Sequence, residues 1–257
     1  MSQNLYDNEK FFNLYKELRN KSNSANNLEE KPELISLLPN LKGKRVLDLG
    51  CGYGEWCKIY SEMGASYVKG IDISSKMLDV AKSECSQFSN IEFSLMDITK
   101  LDELNETFDV VVSSLAVHYV EDFEKLCKNV KKILNKDGIF LFSQEHPIFT
   151  ATKKGVTWLT DIDNVVKGMV IEDYPESGKR NVYWLVENVV KYHRTFSDII
   201  NALVKAGFHI VKVKEPTVSD EVIELNKSLA RCKHVPDYLF VQPKNKGHKT
   251  QSKPSKT

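Results

Sequence analysis

No two cysteines in this chain stand in the Cys-x-x-Cys spacing, and the five present, at 51, 57, 85, 127 and 232, are odd in number. Neither a disulfide framework nor a structural zinc is therefore expected, and a reducing compartment is. No apolar run reaches membrane length and no signal peptide opens the chain, so a soluble cytoplasmic protein with no membrane partner is expected. An excess of charge is missing too, the formal net charge being +1. Five lysines after Pro243, at 244, 246, 249, 253 and 256, meet no acid, which leaves the body mildly acidic. Such a body offers no broad cationic face to a polyanion, so nucleic acid is not an expected partner. His, Cys, Asp and Glu nowhere fall into a metal-ligand spacing, and no metal is expected.

What is present is organised around residues 45–56. Val46, Leu47 and Leu49 form a short apolar run broken only by Asp48, and glycines follow at 50, 52 and 54. This reads as a buried parallel strand entering a tight turn. Glycines let the backbone bend there and let a ligand approach without a Cβ in the way. A helix over 55–63 should follow, its free N–H groups facing the same ligand. Dinucleotide turns use Gly-x-Gly-x-x-Gly. Here Glu55 takes the place of the third glycine, and the pattern is Asp-x-Gly-x-Gly-x-Gly. It resembles the first motif of the class I S-adenosylmethionine (SAM)-dependent methyltransferases. The resemblance implies SAM as cofactor, S-adenosylhomocysteine as product, and Asp48, Gly50, Cys51 and Gly52 as part of the binding site.

Ahead of this turn, Phe11, Leu14, Tyr15 and Leu18 recur at helical spacing. A polar link over 22–27 leads to a second helix starting near Lys31 and Pro32, proline being tolerated in a first turn. One reading of 1–42 is a helical cover for the sheet. The other, which the resemblance implies, is a lid over the cofactor. Tyr15, Arg19 and Asn27 would then be its contacts, the Arg19 fork suiting a carboxylate.

Beyond the turn, residues 67–72 read as the second strand, ending on Asp72, where a carboxylate can accept both ribose hydroxyls. Ile73 and Met77 are placed to touch an adenine face, although Met77 also shares a helical face with Leu78, Ala81 and Cys85. The third strand, 91–96, is followed by Asp97 and Ile98, which resemble the family's contacts to adenine. The nearly continuous valines of 108–114 mark a fourth strand covered on both faces. By the resemblance, Ser113, Ser114 and Leu115 lie where methionine moiety and methyl acceptor meet. The Asn/Asp-Pro-Pro-Tyr/Phe motif of base-amino methyltransferases is absent here.

Asp122 should cap a helix carrying the apolar stripe Phe123, Leu126, Cys127, Val130, Ile133 and Leu134, with Gly138 just past its end. A fifth strand over 139–142 runs into Ser143-Gln-Glu-His-Pro147. Residues 148–192 break the rhythm with short strands at 156–158, 165–173 and 181–191. They are rich in Trp158, Tyr174, Tyr183 and Trp184, which pack a small core or wall an acceptor pocket. A capped helix from Thr195, a strand over 208–213, a helix over 218–231 and a last antiparallel strand over 238–241 complete the chain. The expectation is a Rossmann-like α/β fold: a seven-stranded, mostly parallel sheet with helices on both faces and a β-rich insertion after strand five. One domain would span 1–243, followed by a disordered basic tail over 244–257.

Over most of the chain the phrases at 113–120, 145–151 and 191–195 look like a bacterial subgroup of small-molecule methyltransferases. Its sulfonium methyl is already activated, so transfer needs in-line placement and a base where a proton must leave. Histidine suits that role near neutral pH. His118, His146 and His193 follow the fourth strand, the fifth strand and the insertion, so convergence over the methyl group is expected. His118 is the first candidate base, His146 the second, and Tyr119 an aromatic wall or proton relay. Each histidine also has a purely structural reading, and His146-Pro147 can simply fix a turn. The expected acceptor is a small aromatic or heterocyclic molecule. An RNA- or protein-directed enzyme, or a SAM-binding module without turnover, are the alternatives.

Overall fold

Apolar residues pointing alternately to either side of the central strands decide the layering. The computed structural model describes residues 3–19 and 21–247. In chain order the first elements are α1 (Glu9–Arg19), α2 (Lys31–Leu37), β1 (Arg45–Leu49), α3 (Glu55–Glu62), β2 (Tyr67–Asp72), α4 (Ser75–Glu84), β3 (Ile91–Leu95) and β4 (Phe108–Ser113). There follow α5 (Phe123–Ile133), β5 (Leu134–Glu145), α6 (Pro147–Ala151), β6 (Thr157–Thr160), β7 (Val166–Val170), β8 (Gly178–Trp184) and β9 (Val186–His193). The last are α7 (Phe196–Lys205), β10 (His209–Lys214), α8 (Asp220–Leu225) and β11 (Tyr238–Lys244).

Seven strands form the main sheet in the order β10-β11-β5-β4-β1-β2-β3. β1 through β5 pair in parallel, while β11 runs antiparallel to both β5 and β10. Leu47, Leu49, Val111, Phe140 and Phe142 meet the buried sides of α5 and α7 on one face. Val46, Val110, Val112 and Leu141 meet α2 and α3 on the other. The expected α/β sheet, covered on both faces, is thus observed. Strand order reverses at β1, whose neighbours are β2 and β4. A crevice opens at that point, beyond the carboxyl ends of the strands. Local signals hold where a side chain caps a helix. Asp122 accepts from the Lys125 N–H, and Thr195 and Asp198 close a reciprocal capping box on α7.

Several expectations need correction. Helical structure begins before Lys31, since a π-type turn over Asn26–Glu30 runs straight into α2. Gly138 does not end α5. It lies inside the long strand β5, where an added Cβ would come within 2.9 Å of the Asn135 carbonyl oxygen. The insertion is two separate hairpins, β6–β7 and β8–β9. The expected single strand over 181–191 folds back at Leu185, whose φ is 62°. No Gly, Asn or Pro stands there to mark the turn, and leucine takes a left-handed conformation that its Cβ disfavours. The expected helix over 218–231 breaks at Asn226, which is extended and whose side chain caps a following 3-10 segment, Lys227–Lys233. Lys244 closes β11, and Asn245 is buried with its amide on the Leu134 and Asn135 carbonyls, so the start of the expected tail is structured. The rest of that tail, from 248, lies outside the described residues.

Candidate active site

At the end of β1 the chain turns through Gly50, Gly52 and Gly54, all at positive φ. Gly50 has the strictest need for glycine, because a Cβ there would stand 2.7 Å from the Ala116 Cβ in the loop after β4. The turn leads into α3, whose N-cap is Gly54. At the tip of β2, Asp72 accepts the Gly52 N–H at 2.8 Å and the Ser74 N–H at 2.9 Å. Burial raises its carboxyl above the ordinary range, and those two N–H bonds oppose the rise. The Ile73 N–H is a third backbone donor, and a carboxylate with about four acceptor sites still has room for a ligand.

These pieces border a cavity of about 650 Å³ over the crevice. Of the candidate cofactor residues, Tyr15, Arg19, Gly50, Cys51, Gly52 and Asp72 line it. So do Ile73, Met77, Asp97, Ile98, Ser114 and Leu115. Asp97 also caps the next turn, accepting from the Thr99 N–H and hydroxyl at 2.8 Å each. Arg19 is ion-paired to Glu55 at 2.7 Å, an acid it shares with Lys31.

Three candidates are placed elsewhere. Asp48 is buried beneath the turn with Cys57 as its donor, and burial pushes its carboxyl up to about 7. Ser113 is buried with its hydroxyl on the Leu49 carbonyl, and its neighbour Ser114 reaches the wall instead. Asn27 donates to the Lys21 carbonyl, while Asn26 is the residue on the wall.

Nor do the three histidines converge. His146 is the N-cap of α6, its Nδ1 accepting from the Ile148 N–H and its Nε2 lying 2.9 Å from Glu215. His193 is buried between the Thr150 hydroxyl and the Tyr174 carbonyl, each at 2.9 Å. Only His118 and the adjacent Tyr119 line the cavity. Burial pushes the His118 imidazole down to about 4, against the opposing charge of Glu145, so the ring is neutral near pH 7. Among the described residues its Nδ1 has no hydrogen-bond partner.

Among the wall residues that sequence reasoning missed are Tyr6, Asn26, Glu145 and Tyr238. Tyr6 shares a side-chain hydrogen bond with Tyr119 and packs edge-on against Phe11 and Tyr15 at 4.9 and 5.3 Å. Trp184 is the one insertion aromatic of the four considered that reaches this wall, 5.7 Å from Phe11. Tyr183 is exposed, Trp158 packs on Phe149 and Tyr174 packs on His193. Glu145 is held at 2.5 Å by the buried Lys191. Burial alone would raise the Glu145 carboxyl, and the Lys191 charge outweighs it and keeps it ionised. Glu145, Trp184 and Tyr238 also border a second cavity of about 440 Å³ that runs under the insertion. The arrangement can hold a nucleoside-bearing ligand on the Gly52–Asp72 side and a second, aromatic-walled ligand beside His118.

Comparison with known proteins agrees with this geometry. A family profile described as a methyltransferase domain matches residues 40–189. An uncharacterised protein of Haemophilus influenzae is 42% identical over 244 residues, covering 93% of this chain and 95% of that one. The crystal structure of a SAM-dependent methyltransferase from Mesorhizobium loti superimposes with a TM-score of 0.76 at 38% identity, covering 84% of this chain and 97% of that one. A SAM-dependent methyltransferase structure from Listeria monocytogenes, described as putative, gives the same TM-score at 36% identity, covering 84% and 96%.

Proposed function

Since the chain belongs to the SAM-dependent methyltransferases, we propose that this enzyme methylates an N, O or C atom of a small aromatic or heterocyclic molecule. The cavity wall carries the proposal. Asp72 and the glycine turn share it with the rings of Tyr6, Phe11, Tyr15 and Trp184 and with His118, Tyr119 and Glu145. A chamber of about 650 Å³, walled by aromatic rings with a few polar groups, suits a small ligand rather than a polymer.

The residues present fit SAM, since a buried carboxylate with free lone pairs sits beside a glycine turn at the mouth of a roomy cavity. When bound, SAM supplies a methyl group already activated on a sulfonium. Asp72 would hold the ribose hydroxyls, Ile73, Met77 and Ile98 would pack on adenine, and Asp97 would receive its amino group. Arg19 already has Glu55 as partner, so a role on the SAM carboxylate requires it to be shared.

The chain's remaining task is to orient the acceptor in line and take a proton where one must leave. His118 suits this role, being neutral with an unpartnered nitrogen, and ionised Glu145 nearby favours the imidazolium that would form. Tyr119 and Tyr6 would wall the acceptor. We read residues 1–42 as a lid. Gln3 pairs with the backbone of Asn188 and Val190 on β9, and Asp7 accepts from Ser74 and Lys76 across the cofactor side.

Incubation of the purified protein with methyl-labelled SAM and a cell extract split into metabolite, RNA and protein fractions tests the reading. Label in a small metabolite is expected. Label confined to RNA or protein would overturn it.

A further inference from the structure

Away from the cavity, three buried side chains of metal-ligand type meet at a place that methyl transfer does not use. Glu29 lies on the turn before α2, Cys232 on the 3-10 segment Lys227–Lys233, and Asp237 just ahead of β11. One ligand atom from each lies within 4.8 Å of the other two. Their exposures are only 4%, 2% and 7%. The Cys232 Sγ is 3.7 Å from Glu29 Oε2, and Arg231 binds Asp237 Oδ2. Glu29 Oε1 and Asp237 Oδ1 are fully buried and, among the described residues, have no hydrogen-bond partner. The surroundings are apolar, with Leu28, Val218, Val222 and Leu229 packed about Cys232.

We propose that Glu29, Cys232 and Asp237 bind one divalent transition-metal ion of zinc type, which ties the N-terminal segment to the entrance of β11. Charge supports this. Fully deprotonated, the three groups carry three negative charges, Arg231 supplies one positive charge and a divalent ion the other two. Thiolate with carboxylate is a zinc donor set rather than a calcium or magnesium one. A tetrahedral zinc with bonds of about 2.3 Å to sulfur and 2.0 Å to oxygen spans a sulfur–oxygen edge of about 3.5 Å, close to the separation found. Arg231 on the far oxygen of Asp237 orients that carboxylate, as outer partners of metal ligands do. Binding releases the thiol proton and any carboxyl proton to solvent.

The ion would act on the cavity only through its wall. Glu30, next to Glu29, accepts the Ser114 and Ser143 hydroxyls at 2.8 and 2.5 Å, and Tyr238, next to Asp237, lines the chamber. Because Glu29 and Cys232 are 203 residues apart, no spacing in the sequence reveals the set.

The test uses the untagged full chain, analysed for metal as purified, then stripped with chelator and titrated with Zn²⁺ and Co²⁺. About one zinc per chain is expected, with a thiolate-to-cobalt charge-transfer band in the near ultraviolet on Co²⁺ loading. Free Zn²⁺ at a hundredfold excess over Kd should raise Tm by about 5–10 °C. Cys232→Ser should abolish the band, and Cys232→Ser and Glu29→Gln should each lower zinc occupancy at least tenfold. If neither variant folds, the cobalt spectrum of the native chain decides alone. Substoichiometric zinc with no cobalt band, or zinc retained undiminished by Cys232→Ser, would overturn the proposal.

Discussion

Gly50→Ala tests whether the glycine turn is fixed by contact with the loop after β4 or only by backbone conformation. The φ of Gly50 is 77°, a region that costs an alanine about 1–2 kcal/mol. Its new Cβ would also stand 2.7 Å from the Ala116 Cβ, and relieving such overpacking costs about 1–3 kcal/mol more. The expected loss is about 2–5 kcal/mol. For a chain this size it appears as a fall in Tm of about 2–4 °C per kcal/mol. Removing the opposing methyl with Ala116→Gly should restore the clash component and leave the conformational one. Urea denaturation of both single variants and the double variant closes the cycle, and the coupling should be about 1–3 kcal/mol in the restoring direction. SAM affinity should follow the same order, since Ala116 and Gly50 lie on one wall. An additive cycle would refute the contact argument, and a neutral Gly50→Ala would refute both parts.

The low proton affinity of His118 carries a sign that can be measured. The unfolded chain binds its proton near pH 6.5 and the folded chain only near 4, so stability falls as pH drops through that window. Between pH 7 and 5 the wild type should lose about 2 kcal/mol relative to His118→Gln in urea denaturation, and equal losses would contradict the buried, neutral ring. Asp72→Asn keeps the side-chain shape but loses the charge that holds the Gly52 and Ser74 N–H groups, and one charge-assisted bond fewer should weaken SAM binding about ten- to hundredfold by calorimetry. Unchanged affinity would remove Asp72 from the site. Trp184→Ala should raise the acceptor KM more than it weakens SAM binding, because the ring packs on Phe11, Tyr15 and Lys191 and not on the glycine turn itself. An equal loss of both would instead make Trp184 a support for the whole chamber.

The sheet was legible because its strands carry both their signals locally. Val110 and Val112 pack on one face and Val111 on the other, so a continuous valine run can belong only to a strand covered twice. Asp72 was legible for a related reason. It ends a readable strand, and strand ends in such sheets face the ligand. Leu185 and Asn226 were not, since one turns without a turn residue and the other breaks a helix in a sequence with helical apolar spacing. Long-range partners were out of reach altogether. Glu30 meets Ser143 across 113 positions, and nothing near either residue marks the pairing.

The histidine phrases show most plainly where residue type misleads. Chemistry alone ranks every histidine near a strand end as a base, yet the three phrases have a different common use. Lys191 binds Glu145, His193 meets Thr150, and Arg194 holds the Val120 and Glu121 carbonyls while stacking 5.1 Å from the Phe123 ring. Each contact joins β9 and the residues after it to the end of β5 or to a segment that follows β4 or β5. A brace built from buried polar pairs is directional, so it sets the position of the loop bearing His118 in a way that apolar packing alone does not. One histidine of the three is left on the cavity wall, His193 belongs to the brace that presents it, and His146 caps α6 beside Glu215.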